Sequence, residues 1–156
     1  MENDSIATTC IELASLGLTD GMPPPAVKRF ARIAKNNTYP AGKILFNESD
    51  RYHQIHIICD GLVTLEMRVP GHGVQKILTL GRGELLGWSA LLADGVMTTS
   101  AVATEATKTI EFETEELKLL CEQDHEVGYH VMRQVATSLA KRLLATRLQL
   151  LDLFRG

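Results

Sequence analysis

The apolar positions of the chain change period twice. Near the start, Ile11, Leu13, Leu16 and Leu18 predict a short helix, and Pro23-Pro24-Pro25 opens a second over 26–34, proline being tolerated in a first helical turn. From Tyr39 the period drops to two. Ile44 and Phe46, Ile55 and Ile57, Leu62/Thr64/Glu66 against Val63/Leu65/Met67, and Ile77/Thr79 against Leu78/Leu80 predict strands. The turn signals between them are Pro40-Ala41-Gly42, Asn47-Glu48-Ser49-Asp50, Asp60-Gly61, Pro70-Gly71-His72-Gly73 and Gly81-Arg82-Gly83. They recur at roughly 8–12-residue intervals, as in an antiparallel sandwich or barrel. Strand pattern returns over 100–104 and 107–112. Glu113-Thr114-Glu115-Glu116 then starts a helix, with acids at its positive end.

The last helix, expected over about 126–153, carries the most regular pattern. Met132, Ala136, Leu139, Leu143, Thr146, Leu150 and Leu153 alternate spacings of four and three, one seam of a heptad repeat. Val131, Val135, Leu144, Leu148 and Leu151 form a second stripe. One stripe is expected on the domain and the other on a second copy, giving a parallel homodimer. The alternative is that both are core within one fold.

At 156 residues the chain fits one domain. The expected segments are helical over 1–36, a β-roll over 37–113 and helical over 114–156. The fold class is therefore mostly β with flanking helices: an antiparallel, jelly-roll-like β-roll with N-terminal helices and a long C-terminal one. Hydrophobic residues make up 45% and charged residues 22%, and no apolar run approaches the roughly 20 residues that span a bilayer. Met1-Glu2-Asn3-Asp4 has no signal-peptide character, so the cytoplasm is expected and a membrane is not. A net charge of −3 argues against direct nucleic-acid binding. Cys10, Cys59 and Cys121 are far apart, without metal-ligand spacing, and are read as free thiols.

Catalytic chemistry finds no pattern. His53 and His56, three apart on a strand, point to opposite faces and cannot act as the paired ligands of a metal-binding barrel. No Gly-x-Ser-x-Gly occurs. No catalytic or metal site is assigned, and no enzyme is expected. Histidine and cysteine are compatible with a haem sensor, yet nothing fixes an axial ligand.

The order of helix, Tyr39-Pro40-Ala41-Gly42, Phe46, Asp60-Gly61, Gly83-Glu84-Leu85-Leu86-Gly87, a short helical loop, two strands and a long helix resembles the cyclic-nucleotide-binding domains of the catabolite-activator and protein-kinase-regulatory type. The resemblance runs from about Leu16 to the end. It implies a phosphate-binding cassette within 83–101, where Gly87, Trp88, Ser89, Ala90 and Leu91 open a short helix whose N–H groups face the ligand. The family's cyclic-AMP binders place a glutamate after the second glycine and an arginine near the cassette's end; here Trp88 and Thr98 stand there. That implies altered or lost cyclic AMP binding. The hydroxyl-rich rim of Ser89, Thr98, Thr99 and Ser100 is left to hold a ligand or water, and Trp88 either plugs the pocket or forms a platform for a ring. Thr146 and Arg147 stand where the family contacts the purine; the other readings are a tolerated seam threonine and a solvated arginine. No cofactor is certain, a cyclic nucleotide or other small ligand being what the resemblance implies.

The resemblance thus implies a regulatory sensor coupled to its last helix. No helix-turn-helix follows Phe154-Arg155-Gly156, so either a stand-alone subunit acting on an output protein or a sensor fragment of something longer is expected, Met1 at the start slightly favouring the former. The alternatives are a ligand-free dimerising module and the sensor part of a transcription regulator lacking its DNA-binding domain.

Overall fold

The structure is a computed structural model that describes residues 1–92 and 94–155; Ala93, inside the expected cassette, and Gly156 lie outside the described residues. Two helices come first, α1 (Glu2–Ser15) and α2 (Pro24–Arg32). Eight strands follow: β1 (Lys35–Tyr39), β2 (Ile44–Phe46), β3 (Gln54–Asp60), β4 (Val63–Val69), β5 (Gly73–Leu80), β6 (Leu85–Leu86), β7 (Ser100–Ala103) and β8 (Thr107–Glu113). A short helix, α3 (Trp88–Leu92), interrupts them between β6 and β7; α4 (Thr114–Gln123) and α5 (His125–Arg155) end the chain. Strand β1 begins inside the segment expected to be helical. None of the described helices is long and apolar enough to cross a membrane.

The strands form two antiparallel four-stranded sheets, ordered β1-β8-β3-β6 and β2-β7-β4-β5, so the roll is a pair of sheets and not a closed barrel. The first sheet has apolar surroundings on both faces. Side chains alternate across a strand, and on β3 Ile55, Ile57 and Cys59 join the core under the helices while Ile58 joins the core between the sheets. This double burial explains the continuous run from Ile55 to Cys59.

The helical layer is locked by Phe30 of α2 stacking on Phe112 of β8, with centroids 4.5 Å apart and planes 2° from parallel. Such a pair adds about 0.5–1.5 kcal/mol beyond area burial. The Glu113 carboxylate caps α4 by accepting from the Glu116 N–H at 2.8 Å. Asp124 does the same for α5, its Oδ1 accepting from Glu126 at 3.1 Å and Val127 at 3.3 Å, while Oδ2 meets Arg29.

His56 is fully buried and His53 exposed, the opposite-face placement expected from their spacing. The Tyr52 hydroxyl lies 2.5 Å from His56 Nε2 and the Thr109 hydroxyl 3.2 Å from Nδ1, so a neutral imidazole is satisfied at both nitrogens. Burial pushes His56 down to about 4, against a weaker upward pull from Glu111. Tyr39, also hydrogen-bonded to Glu111, is pushed up to about 12, chiefly by burial.

Candidate functional site

The core between the sheets opens at one end into a cavity of about 140 Å³. Phe46, Leu65, Ile77 and Leu78 of the second sheet form its apolar wall, and Leu86, Gly87, Trp88 and Ser89 bring the β6–α3 turn to its edge. Met97, Thr98 and Thr99 close another side; Arg142, Ala145, Thr146 and Gln149 of α5 lie across the opening. No carboxylate lines it, and Arg142 is its one charged group among the described residues.

The turn at Gly87 places this edge. Its φ is +91°, and a Cβ there would lie 2.6 Å from the Gln54 carbonyl oxygen and 3.4 Å from Ile55 Cα. A glycine is required both by the backbone region and by the close pass of the turn against β3. Glu84 holds the preceding turn, accepting from the Gly81 N–H at 2.6 Å. Arg82 points away from the cavity, donating to the Cys59 carbonyl at 2.7 Å and to Ser15 Oγ at 3.2 Å.

The cavity brings together Gly87, Trp88, Ser89, Thr98, Thr99 and Thr146. Ala90 and Leu91 instead pack in the two cores, and the Ala90 N–H donates to the Gly87 carbonyl at 3.0 Å, so it is not free for a ligand. Helix α3 is also only five residues long. The Ser100 hydroxyl accepts from the Glu48 N–H at 2.8 Å and lines a separate outer groove with Arg68 and Glu66. Arg147 is exposed and does not line the cavity. Trp88 is half-buried, with one side on the helical core. Thr146 donates to the Arg142 carbonyl at 2.8 Å, leaving its hydroxyl oxygen able to accept.

Two polar residues of this site, Arg142 and Gln149, went unassigned at the sequence level. Arg142 Nη2 donates to the Leu85 carbonyl, and Gln149 Nε2 donates to the Ile77 carbonyl at 3.1 Å, so α5 is tied to the backbone of β6 and β5. Gln134 adds a third tie, to the Gly17 carbonyl at 3.4 Å. Arg142 Nε is buried without an acceptor among the described residues, and burial holds the guanidinium below its ordinary value, opposed by nearby Glu84. The signal was in the helix period. Continuing from buried Val131 and Val135 by alternating threes and fours gives Ser138, Arg142, Ala145 and Gln149, the face turned to the roll.

A sequence model of the cyclic nucleotide-binding domain matches residues 36–124. The cyclic AMP receptor protein of Thermus thermophilus is 32% identical over 136 residues, 87% of this chain. The chain spans 59% of that relative's length. The Thermus thermophilus catabolite activator protein superimposes with a TM-score of 0.70 at 30% identity, over 88% of this chain and 62% of that one. A cyclic nucleotide-binding domain from Methylobacillus flagellatus gives a TM-score of 0.80 at 20% identity, covering 92% and 83%, a likeness of fold.

Proposed function

Because the chain belongs to the cyclic-nucleotide-binding domain family, we propose that it is a cytoplasmic regulatory domain that takes a small ligand into the cavity under α5 and acts by binding and not by catalysis. The observation that carries this reading is the shared wall: the Gly87–Ser89 turn and α5 line one cavity, so an occupant touches the helix that would transmit the signal. A ligand shifts a conformational equilibrium only through contacts that differ between the states.

Cyclic AMP recognition is altered or lost in this reading. Trp88 and Thr98 face the cavity at the positions that the resemblance assigns to a ribose-binding acid and a phosphate-binding arginine. A lost charge-assisted hydrogen bond removes about 1.5–3 kcal/mol. The aromatic face of Trp88 and the hydroxyls of Ser89, Thr98 and Thr99 suit a ring-bearing polar ligand.

The same helix joins two copies. Leu143, Leu144, Leu148, Leu150, Leu151 and Leu153 are 52–79% exposed. Leu143, Leu150 and Leu153 keep heptad spacing with Met132 and Ala136, the pattern by which a second α5 would pack in parallel. Exposed leucines of this extent mark an interaction surface. A partner protein that reads the dimer completes the proposal.

Thermal stability against a panel of cyclic mono- and dinucleotides tests it. A ligand at 100 times its Kd adds about 2.7 kcal/mol to the folded state. A shift with one compound and none with millimolar cyclic AMP is expected. No shift with any compound would leave a ligand-free dimerising module as the better account.

A further inference from the structure

Helix α5 presents three faces. Val131 and Val135 are buried and Arg142, Ala145 and Gln149 line the cavity, so one face lies on the roll. Met132, Ala136, Leu143 and Leu150 form the heptad seam. At about 100° per residue, Leu144, Leu148 and Leu151 fall on neither. They are 53–58% exposed and form an i, i+4, i+7 ridge on the side away from the roll. A two-stranded coiled coil leaves that side to solvent and needs nothing apolar there. Earlier along the helix the same side carries Arg133, Thr137 and Lys141, all exposed and polar, so the ridge is a local feature of the last turns.

The charges around the ridge select what it can meet. Lys141 stands one turn before it, Arg147 beside Leu144 and Leu151, and Arg155 one turn past Leu151; all three are exposed. Residues 141–155 hold four cations against the single acid Asp152, in a chain whose net charge is −3. An apolar ridge in a basic frame fits an amphipathic helix whose own apolar stripe is flanked by Asp and Glu. Pairing the ridges of two copies would set like charges against each other. A membrane surface fits less well, because helices that lie in it sink a broad apolar face, whereas this strip is three leucines long and its neighbouring faces belong to the roll and the seam.

We infer that the ridge of Leu144, Leu148 and Leu151 is the docking surface for an acidic amphipathic helix of the output protein. This gives the partner in the reading above its surface and its chemistry, and rests on that reading. In a parallel dimer the two ridges point outward on opposite flanks, so each dimer takes two partner helices. The ridge shares its turns with Ala145 and Gln149, which line the cavity, so a shift of α5 carries the docking surface with it.

The test titrates the full chain into two fluorescein-labelled helical peptides that share a leucine stripe at i, i+4 and i+7, one flanked by glutamates and the other by lysines. By anisotropy, the glutamate peptide is expected to bind at least about tenfold more tightly, and more weakly as salt is raised. Leu144→Gln with Leu148→Gln should weaken it by at least about tenfold, with the sedimentation mass and circular dichroism of the chain unchanged. Leu143→Gln with Leu150→Gln, an equal loss of apolar surface on the seam, should leave peptide affinity within about twofold. Equal affinity for the two peptides, no binding of the glutamate peptide at submillimolar chain, or equal weakening by the seam and ridge variants overturns the ridge as the docking surface. Binding to phosphatidylglycerol vesicles in place of the glutamate peptide also overturns it and assigns the ridge to a membrane surface. A fall in the mass of the ridge variant overturns it in favour of an interface between copies. A natural chain that sediments as a monomer yet binds the glutamate peptide through the ridge removes the dimer from the reading above and leaves the docking surface standing.

Discussion

Two glycines in one motif separate strain from crowding, and alanine substitutions at each should behave differently. Gly83 and Gly87 adopt φ of +83° and +91°. An alanine held in left-handed backbone costs about 1–2 kcal/mol. It recovers about 0.4–1 kcal/mol by narrowing the unfolded ensemble. At Gly83 the nearest atom to the added Cβ is the Leu16 carbonyl oxygen, 4.0 Å away, so little more is lost. At Gly87 the Gln54 carbonyl oxygen is 2.6 Å away, against an ordinary contact of 3.4 Å or more, and it belongs to β3 backbone that cannot rotate aside. The turn and strand must part by several tenths of an ångström, beside the His56–Leu86 pair that joins β6 to β3. Overpacking of this kind costs about 1–3 kcal/mol. Gly83→Ala should therefore destabilise by about 1 kcal/mol or less, and Gly87→Ala by about 2–4 kcal/mol. Urea unfolding followed by far-ultraviolet circular dichroism checks this, with the slope m compared to exclude a change in the unfolded state. Trp88 emission should shift in Gly87→Ala alone. Equal midpoints for the two variants, or a lower one for Gly83→Ala, would refute the reasoning.

Other outcomes follow from the same geometry. Because His56 titrates near 4 in the fold and near 6.5 when unfolded, the unfolded state takes the proton first, and stability should fall as pH drops from 6.5 to 4, by up to about 3 kcal/mol. Imidazole resonances in a pH titration check this, and a His56 ring protonated in the folded chain at pH 5.5 would contradict it. Replacing Leu143 and Leu150 together by lysine should convert a dimer to a monomer in sedimentation without lowering the far-ultraviolet signal of the roll; an unchanged mass would remove α5 as the interface. Trp88→Glu with Thr98→Arg should raise cyclic AMP affinity at least about tenfold by thermal shift, from one restored charge-assisted contact. Phe112→Ala, emptying the partner of the Phe30 stack, should cost about 3–5 kcal/mol in chemical unfolding.

Periodicity carried the fold wherever one face of an element meets a core. The alternating strands from Ile44 onward, the capped start of α4 and the long α5 were all legible in the sequence. Strand β1 was not, because Lys35-Asn36-Asn37-Thr38 is a polar sheet edge whose side chains are exposed, so nothing alternates. β6 has two residues, too few for any period. At the site, Gly87, Trp88, Ser89, Thr98, Thr99 and Thr146 were readable by family resemblance. Ser100 sits on a strand whose alternation turns it to the outer face, a distinction the rim's run of hydroxyls hides. Arg142 was missed for another reason. Leucines dominate the helix pattern beyond residue 139, yet they are the exposed ones, while the face turned to the roll is polar and gripped by hydrogen bonds.

The acceptors in that grip are main-chain carbonyls, at Leu85 and Ile77. A carbonyl is present whatever side chain the residue bears, so these two ties, unlike the packing of Val127, Val131 and Val135, are indifferent to the side chains of the strands they reach. The cavity wall at Leu65, Ile77 and Leu78 can accordingly be recut for a differently shaped occupant while the helix keeps its purchase. In the sensor proposed above, specificity and transmission would be written in different alphabets: side chains of the second sheet for one, and backbone for the other.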